Sequence, residues 1–212
     1  MRLGTRGSRL ALIQSRAVAE RLRDAGAEVE LVTIKTDGDE RTSEEIGEGI
    51  FVTAIERKLA AGHIDLAVHS AKDLPLQVRA GLVVGAFPER ADPRDALVSA
   101  NGGASLDLLP QGAAIGTDSP RRAAFLRAAR PDASVGPVRG NVDTRLRRLQ
   151  EGLFEALVLA AAGLDRLGEG HRADQRLAPS VMPPAPGQGA LAVQCRESDV
   201  EVRELLAGID DA

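Results

Sequence analysis

A strongly basic stretch stands out in a chain that is acidic overall. Eight arginines lie in the 28 residues from Arg121 to Arg148, against two acids, whereas the 212-residue chain has a formal net charge of -4. Arginine grips a carboxylate with two parallel N–H donors, which the ammonium group of lysine cannot do. The stretch therefore indicates a receptor for an anion with several carboxylates or phosphates. For Arg127, Arg130 and Arg147, a solvated surface position is an equally good interpretation.

Four arginines are the best candidates for binding the anion because of where they fall on predicted helices. Ser119–Pro120 is typical of a helix start, which puts Arg121 and Arg122 in the first turn. Cations there oppose the helix dipole at a cost of ~0.3–1 kcal/mol, and a bound anion would reverse that effect. The other two candidates are Arg139, at the end of a predicted strand, and Arg145, early in the next helix.

A second group of residues has the chemistry to move a proton or to stabilise a cation. The loop predicted after a buried strand contains His69, Ser70, Lys72 and Asp73. An ionised Asp73 among cations suits stabilisation of a cationic intermediate or proton transfer, and a surface ion pair with Lys72 is the alternative. A Ser-His-Asp hydrolase is disfavoured because Ser70 lacks the G-x-S-x-G setting of a nucleophile elbow.

Arg6, Gly7 and Ser8 form a similar arrangement near the start of the chain. They combine a predicted strand end, a glycine turn and a helix N-terminus, which together can hold an anion. An ordinary β-to-α turn is an equally good interpretation of the same three residues.

The elements predicted around these residues alternate between strands and helices. Strands are predicted at Arg2–Thr5, Glu28–Ile34, Ile64–Val68, Leu82–Ala86, Ala96–Ser99, Ala113–Gly116, Val135–Val138, Ala156–Leu159 and Ala190–Gln194. Helices are predicted from Ser8, around Ile50–Leu59, and from Ser119, Asn141 and Asp199. This order predicts an α/β fold, with mainly parallel sheets flanked by helices.

Two proline-rich breaks predict two domains. The breaks are Pro88–Pro93 and Pro179–Gly189. Domain 1 is expected at residues 1–89 plus 188–212, with the Asp73 loop, and domain 2 at residues 92–184, with the arginine-rich stretch. A site in a cleft between them would be reached by loops at the carboxyl ends of the strands.

Composition excludes several other classes of protein. One cysteine and three histidines predict no metal site and no intrachain disulfide. The absence of Trp and Tyr and the net negative charge disfavour nucleic-acid binding. The sequence has no apolar run long enough to span a membrane and no signal-peptide pattern, so a cytoplasmic location is expected.

A series of segments carries a resemblance to a known family. They are Thr5–Ser8 with Leu10, Ala11 and Gln14, Thr36–Asp39 (TDGD), Asp65–Pro75 (DLAVHSAKDLP), Arg90–Ser99 (RADPRDALVS), Gly116–Arg122 (GTDSPRR), Arg130–Asp132, Arg139–Leu146 (RGNVDTRL), Ala162–Gly168 (AGLDRLG) and Pro186–Arg196 (PGQGALAVQCR). In order and spacing they resemble the porphobilinogen deaminase, or hydroxymethylbilane synthase, family over nearly the whole chain.

The resemblance implies a transferase of haem and other tetrapyrrole biosynthesis. Such enzymes condense four porphobilinogen molecules head to tail, releasing ammonia, on a covalently anchored dipyrromethane cofactor. The implied fold is two domains resembling periplasmic binding proteins, followed by a small third domain. The implied roles are Asp73 in catalysis; Lys72, Ser119, Arg121, Arg122 and Arg145 in cofactor binding; and Arg6, Ser8, Thr117, Arg139 and Arg166 in substrate binding.

Three departures from the family pattern bear on activity. Glu48 stands where the family has a carboxylate-binding lysine, and Asp118 places an acid beside the anion site, so both weaken anion binding on Coulombic grounds. The sequence stops at Ala212, where the family continues into the domain with the cofactor-anchoring cysteine. Cys195 is expected to be a small buried residue and not a substitute for that cysteine.

These departures leave alternatives to a complete enzyme. The chain is expected to be a shortened form, a partial product, or a variant that holds its cofactor non-covalently. A catalytically incomplete fragment, or a two-lobed polycarboxylate-binding protein without turnover, is the competing function. A monomer is expected, with a separate polypeptide as another source of the third domain.

Overall fold

The backbone passes twice between two units. Unit 1 consists of Met1–Ala91 and Ala190–Ala212, and unit 2 consists of Asp92–Gly189. The computed structural model describes residues 1–34 and 50–211. Unit 1 is therefore assembled from both ends of the sequence and unit 2 from its middle.

In the described part of unit 1, the sheet contains four strands that run in one direction and one that runs in the opposite direction. The strands are β1 (Arg2–Arg6), β2 (Glu30–Ile34), β3 (Leu66–Ser70), β4 (Leu82–Ala86) and β10 (Leu191–Arg196). Their spatial order is β2-β1-β3-β10-β4. β1 pairs in parallel with β2 and β3, whereas β10 is antiparallel to β3 and β4.

Helices cover both faces of this sheet because their apolar positions form one continuous side. The helices are α1 (Arg9–Asp24), α2 (Ile50–Ala60) and α6 (Val200–Ala207). Val18 and Leu22 of α1 share one core cluster with Leu206 of α6. Ile55 and Leu59 of α2 form the cluster on the opposite face. None of the described helices has the length and apolar character of a membrane span.

Unit 2 repeats the strand order of unit 1, although the sequence shows no internal repeat. Its strands are β5 (Asp95–Ser99), β6 (Ala114–Gly116), β7 (Ser134–Gly136), β8 (Ala156–Ala160) and β9 (Gln175–Arg176). They lie in the order β7-β6-β8-β5-β9, with β5 antiparallel to its two neighbours. β5 thus takes the place that β10 has in unit 1.

The helices of unit 2 also lie on both faces of their sheet. They are α3 (Pro120–Ala129), α4 (Val142–Gln150) and α5 (Ala161–Arg166). Leu126 of α3 belongs to one core cluster. Leu146 and Leu149 of α4 pack with Leu164 of α5 in the other. The predicted α/β fold class, with sheets flanked by helices, is confirmed.

One prediction near the candidate chemistry is wrong. His69 and Ser70 are the last residues of β3, not the start of a loop, because they pair with Ala192 and Leu191 of β10. His69 is buried, with a relative exposure of 6%. Only Lys72 and Asp73 of the predicted group follow the strand, in a single 3-10 turn at Ala71–Asp73.

Candidate functional site

Each sheet gathers polar residues at one edge, where its parallel strands end. In unit 2, β6 is parallel to both β7 and β8, so the residues that follow these strands share that edge. β5 runs the other way, and its first residue, Asp95, pairs with Ala160 at the end of β8. The edge therefore receives Thr117–Arg122 after β6, Arg139 after β7 and Asp95 at the start of β5.

The turn from β6 into α3 is fixed by two hydroxyl groups. Ser119 is the N-cap of α3, and its Oγ accepts a hydrogen bond from the Arg122 backbone N at 3.4 Å. The Ser119 backbone N donates to Thr117 Oγ1 at 3.2 Å, and Thr117 is buried. The predicted helix start is therefore confirmed, with Arg121 and Arg122 in the first turn.

A buried carboxylate stands between these two arginines. Asp95 has a relative exposure of 0%. Its Oδ2 accepts from Arg121 Nη2 at 2.7 Å, and its Oδ1 accepts from Arg122 Nε at 3.0 Å and Nη2 at 2.7 Å. Gln188 Nε2 donates to the same Oδ1 at 2.8 Å. Asp95 thus offsets the unfavourable helix-dipole position of the arginines and leaves the pair with one net positive charge.

The side chains of the two first-turn arginines, with their forked guanidinium groups, differ in their exposure to solvent. The side chain of Arg122 is 7% exposed, and its Nη1 also donates to the Val158 carbonyl at 3.2 Å. The side chain of Arg121 is 22% exposed, and its Nη1 donates to the Pro183 carbonyl. Sequence reasoning missed Asp95, although an acid at the start of an apolar strand, inside the RADPRDALVS segment, was a usable signal.

Arg145 of α4 belongs to the same edge of unit 2. Its Nε donates to the Gly140 carbonyl at 2.7 Å, and its Nη2 contacts Asp118 Oδ2 at 3.2 Å. Desolvation lowers the pKa of Arg145; the charge of Asp118 opposes this, and the charges of Arg122 and Arg148 add to it. The guanidinium group is thus held in an environment that favours a further anionic partner.

The remaining predicted residues of unit 2 lie at the ends of two elements. Arg139 is exposed, and its carbonyl accepts from Arg148 Nη1 at 3.1 Å. Arg166 ends α5 and donates through Nη2 to the Gly189 carbonyl at 2.7 Å. Burial lowers the pKa of Arg166, with the charge of Asp165 acting in the opposite direction.

In unit 1, the ends of the neighbouring parallel strands β1 and β3 place Arg6 and Lys72 near Asp73. β1 ends at Arg6, and Ser8 caps α1 by accepting from the Ala11 backbone N at 3.3 Å. Lys72 and Asp73 follow β3, which pairs with β1. Desolvation raises the pKa of Asp73, while the charges of Lys72 and Arg6 act in the opposite direction. The carboxyl group therefore holds its proton to higher pH than an ordinary aspartate, although the residue is exposed at the surface.

Of three other features predicted in unit 1, the structure describes one. The TDGD segment at Thr36–Asp39 and Glu48 lie outside the described residues. Cys195 is fully buried in β10, which confirms its expected role as a small core residue. Residues 1–34 and 50–211 contain no group of three His, Cys, Asp or Glu side chains placed to hold a metal ion.

His69 belongs to a buried polar chain on the α2 side of the sheet. Gln194 Nε2 donates to Glu56 Oε1 at 2.8 Å, and all three residues are buried. Burial lowers the pKa of His69 to about 4, and the neighbouring Gln194 side chain only partly offsets this. His69 is therefore neutral at physiological pH.

Protonation of His69 is expected to make the fold sensitive to mild acid. The pKa of His69 is lower in the folded state than in the unfolded state, so between pH 6.5 and about 4 the unfolded state binds a proton that the folded state does not. The free energy of unfolding therefore falls as the pH drops through this range. We expect about 2 kcal/mol less unfolding free energy at pH 5 than at pH 7 from this group. Urea unfolding at both values should show a smaller difference for His69→Asn. His171→Asn, at an exposed position, should keep the wild-type difference; equal differences in all three proteins would contradict the assignment.

Gly140 controls the backbone between Arg139 and Arg145. Its φ is +103°, and a Cβ there would lie 2.8 Å from Thr144 Cγ2. We expect Gly140→Ala to lower the unfolding free energy by about 2 kcal/mol, through backbone strain and overlap. Gly152→Ala is the control, because its φ is +77° but nothing lies within 4 Å. Urea midpoints should therefore fall further for Gly140→Ala, and equal midpoints would contradict the overlap.

Comparison with known proteins shows which family the chain resembles. Residues 1–204 match a family model described as porphobilinogen deaminase, dipyromethane cofactor binding domain. Porphobilinogen deaminase from Acidothermus cellulolyticus is 49% identical over 219 residues, covering 100% of this chain and 66% of the relative. That from a Roseiflexus species is 51% identical over 215 residues, covering 99% of this chain and 71% of the relative. The chain spans about two thirds of the length of these relatives.

Solved structures with the same fold are much more distant in sequence. A periplasmic substrate-binding protein of an ABC transporter from Coxiella burnetii has a TM-score of 0.58 at 17% identity, covering 99% of this chain and 91% of that one. A nutrient-binding protein from Burkholderia cenocepacia, bound to methionine, has a TM-score of 0.56 at 13% identity, covering 98% and 90%. These similarities show the fold alone. The match of the family model, together with relatives at about half identity over the whole chain, shows that this chain belongs to the porphobilinogen deaminase family.

Proposed function

We propose that the chain carries the catalytic and carboxylate-binding groups of a hydroxymethylbilane synthase. The reaction joins four porphobilinogen molecules head to tail and releases ammonia at each step. The observation that carries the proposal is the position of Asp73, whose pKa is raised by desolvation beside Lys72 and Arg6 at the edge of a sheet. A carboxyl group with a raised pKa, flanked by cations, suits a substrate that bears carboxylates and passes through a cation.

Asp73 acts in this proposal on the charge and proton of the reacting pyrrole. When the C–N bond of the protonated aminomethyl group breaks, the electron pair leaves with the nitrogen as neutral ammonia. The remaining azafulvenium cation is then stabilised by the Asp73 carboxylate. As the new C–C bond forms, the attacking pyrrole carbon loses its proton, for which a carboxylate with a raised pKa is a suitable acceptor.

The arginines of unit 2 and Lys72 bind carboxylates in this proposal. Each pyrrole ring carries an acetate and a propionate, and guanidinium forks are suited to both. The dipyrromethane cofactor would be held by Lys72, Ser119, Arg121, Arg122 and Arg145. When bound, it supplies the anchor for the growing chain. The donor set fits such a group, because Arg145 is desolvated and Arg121 keeps part of its fork exposed.

Arg122 has a supporting part in this arrangement. Its side chain is nearly buried and its donors are bound to Asp95 and the Val158 carbonyl, so it contributes charge from beneath the site. Substrate carboxylates would be held by five groups, four of which are exposed or half-buried. These are Arg6, Ser8, Thr117, Arg139 and Arg166, of which Thr117 is buried and holds the turn before Ser119.

Carboxylate binding without turnover is the competing function. It rests on the arginines alone and requires nothing of Asp73. Incubation of the purified chain with porphobilinogen, followed by assay of hydroxymethylbilane and native mass spectrometry for bound dipyrromethane, separates the two. Product formation supports the synthase. Bound pyrroles without product support the binding protein. If the chain neither forms product nor binds pyrroles, both functions are overturned.

A further inference from the structure

Asp118 brings a negative charge to the guanidinium group of Arg145. Asp118 Oδ2 lies 3.2 Å from Arg145 Nη2. The residue sits between Thr117 and Ser119, immediately before α3. Asp118 therefore pairs with the guanidinium group that, in the proposed function, binds a ligand carboxylate.

The contact of Asp118 with Arg145 is weaker than the contacts that Asp95 makes at the same edge of the sheet. Asp95 is fully buried and receives four hydrogen bonds of 2.7 to 3.0 Å from Arg121, Arg122 and Gln188. The Asp118 contact is a single donor–acceptor pair, and the side chain is 30% exposed. A single, partly exposed ion pair is weak and exchanges readily. Asp95 is therefore a fixed part of the fold, whereas Asp118 is held loosely.

The environment of Arg145 favours replacement of Asp118 by a stronger partner. The bond from Nε to the Gly140 carbonyl, at 2.7 Å, holds the guanidinium group in place. Desolvation and the nearby charges of Arg122 and Arg148 disfavour the cation, and Asp118 offsets them only in part. A ligand carboxylate that accepts two hydrogen bonds from the fork would relieve more of this cost.

We propose that Asp118 is an exchangeable counter-ion of Arg145, which a ligand carboxylate must displace, so that Asp118 sets the affinity and selectivity of this site for anions. The inference rests on the proposed function, because it takes Arg145 to be a carboxylate-binding residue. A ligand with one carboxylate gains little by replacing Asp118, since one carboxylate is exchanged for another. A ligand with several carboxylates can engage Arg145 and the other cations of the edge together, so the site favours polycarboxylates.

Calorimetric titration of the full chain, freed of any bound pyrroles, with porphobilinogen tests this inference, because porphobilinogen carries the same acetate and propionate as each ring of the cofactor that Arg145 is proposed to hold. We expect Asp118→Asn to tighten binding by roughly three- to fivefold, the range that one partly exposed ion pair supports. The gain should disappear when Arg145→Gln is also present. Glu151→Gln is the matched control, because it removes a carboxylate paired with Arg147 on the same helix and both of those side chains are exposed. It should leave the affinity unchanged.

The outcomes separate this inference from the proposed function. Tighter binding in Asp118→Asn that depends on Arg145 supports it. Weaker or unchanged binding in Asp118→Asn overturns the inference, since Asp118 would then orient the guanidinium group of Arg145 or have no effect on binding. An equal gain in affinity in Glu151→Gln also overturns it, because the gain would then be a general effect of net charge. If Arg145→Gln binds as tightly as the unsubstituted chain, or no variant binds, the proposed role of Arg145 fails and this inference fails with it.

Discussion

Replacement of Asp73 by asparagine is expected to reduce porphobilinogen turnover by roughly a thousandfold, the loss typical of a group that stabilises charge and moves a proton in the transition state. The amide has the shape of the carboxyl group but neither its charge nor its proton. Stability should not fall, because desolvation raises the pKa of Asp73 and ionising it therefore costs free energy in the folded state. Steady-state kinetics and urea unfolding of the same preparations measure both quantities.

The control for this experiment is Asp24→Asn, at the last residue of α1 and exposed. It removes the same charge from unit 1 and should leave turnover within about twofold of the unsubstituted value. Asp73→Glu should retain part of the activity, because the charge returns at a displaced position. Near-normal turnover in Asp73→Asn would contradict the role given to Asp73, and an equal loss in Asp24→Asn would point to an effect of net charge.

Removal of the Asp95 carboxylate is expected to have the largest effect on stability. Asp95→Ala leaves the nearly buried guanidinium group of Arg122 without its counter-ion and removes one of the two acceptors of Gln188 Nε2. Breaking a buried ion pair from one side costs about 3–5 kcal/mol. Urea unfolding should show this loss, together with weaker carboxylate binding, because Arg121 is held through the same residue.

Two further variants distinguish a buried ion pair from an ordinary one. Glu89→Ala breaks a single contact of 3.2 Å with Arg21, at a carboxylate that is 74% exposed. It should cost only about 1 kcal/mol or less. In the double variant Asp95→Leu with Arg122→Met, both partners become apolar and part of the loss should return. Equal costs for Asp95→Ala and Glu89→Ala would show that burial of the pair has little importance.

Elements with strong local signals were predictable from the sequence. The Ser8 and Ser119 caps, the Pro120 helix start and the strand Leu82–Ala86 all appear where local rules place them. These features depend on neighbouring residues alone. The first-turn position of the candidate arginines was therefore also predictable.

The errors arise where distant segments decide the structure. His69 extends β3 because β10, more than a hundred residues later in the sequence, pairs with it, and no local pattern indicates that partner. Helix α5 was missed because its short apolar sequence continues directly from β8. Asp95 was missed because the reversal of β5 is a property of the sheet, and only that reversal brings its first residue to the arginines.

The reversed strand of unit 1 also constrains the order in which the protein assembles on the ribosome. β3 and β4 are joined only through β10, which lies between them, so this sheet cannot be complete before residue 196 has been synthesised. The strands of unit 2 all lie between Asp95 and Arg176 and emerge earlier. Co-translational folding is therefore expected to complete the middle of the chain first. The amino-terminal strands keep unpaired backbone groups until β10 is synthesised, and they should depend most on chaperones.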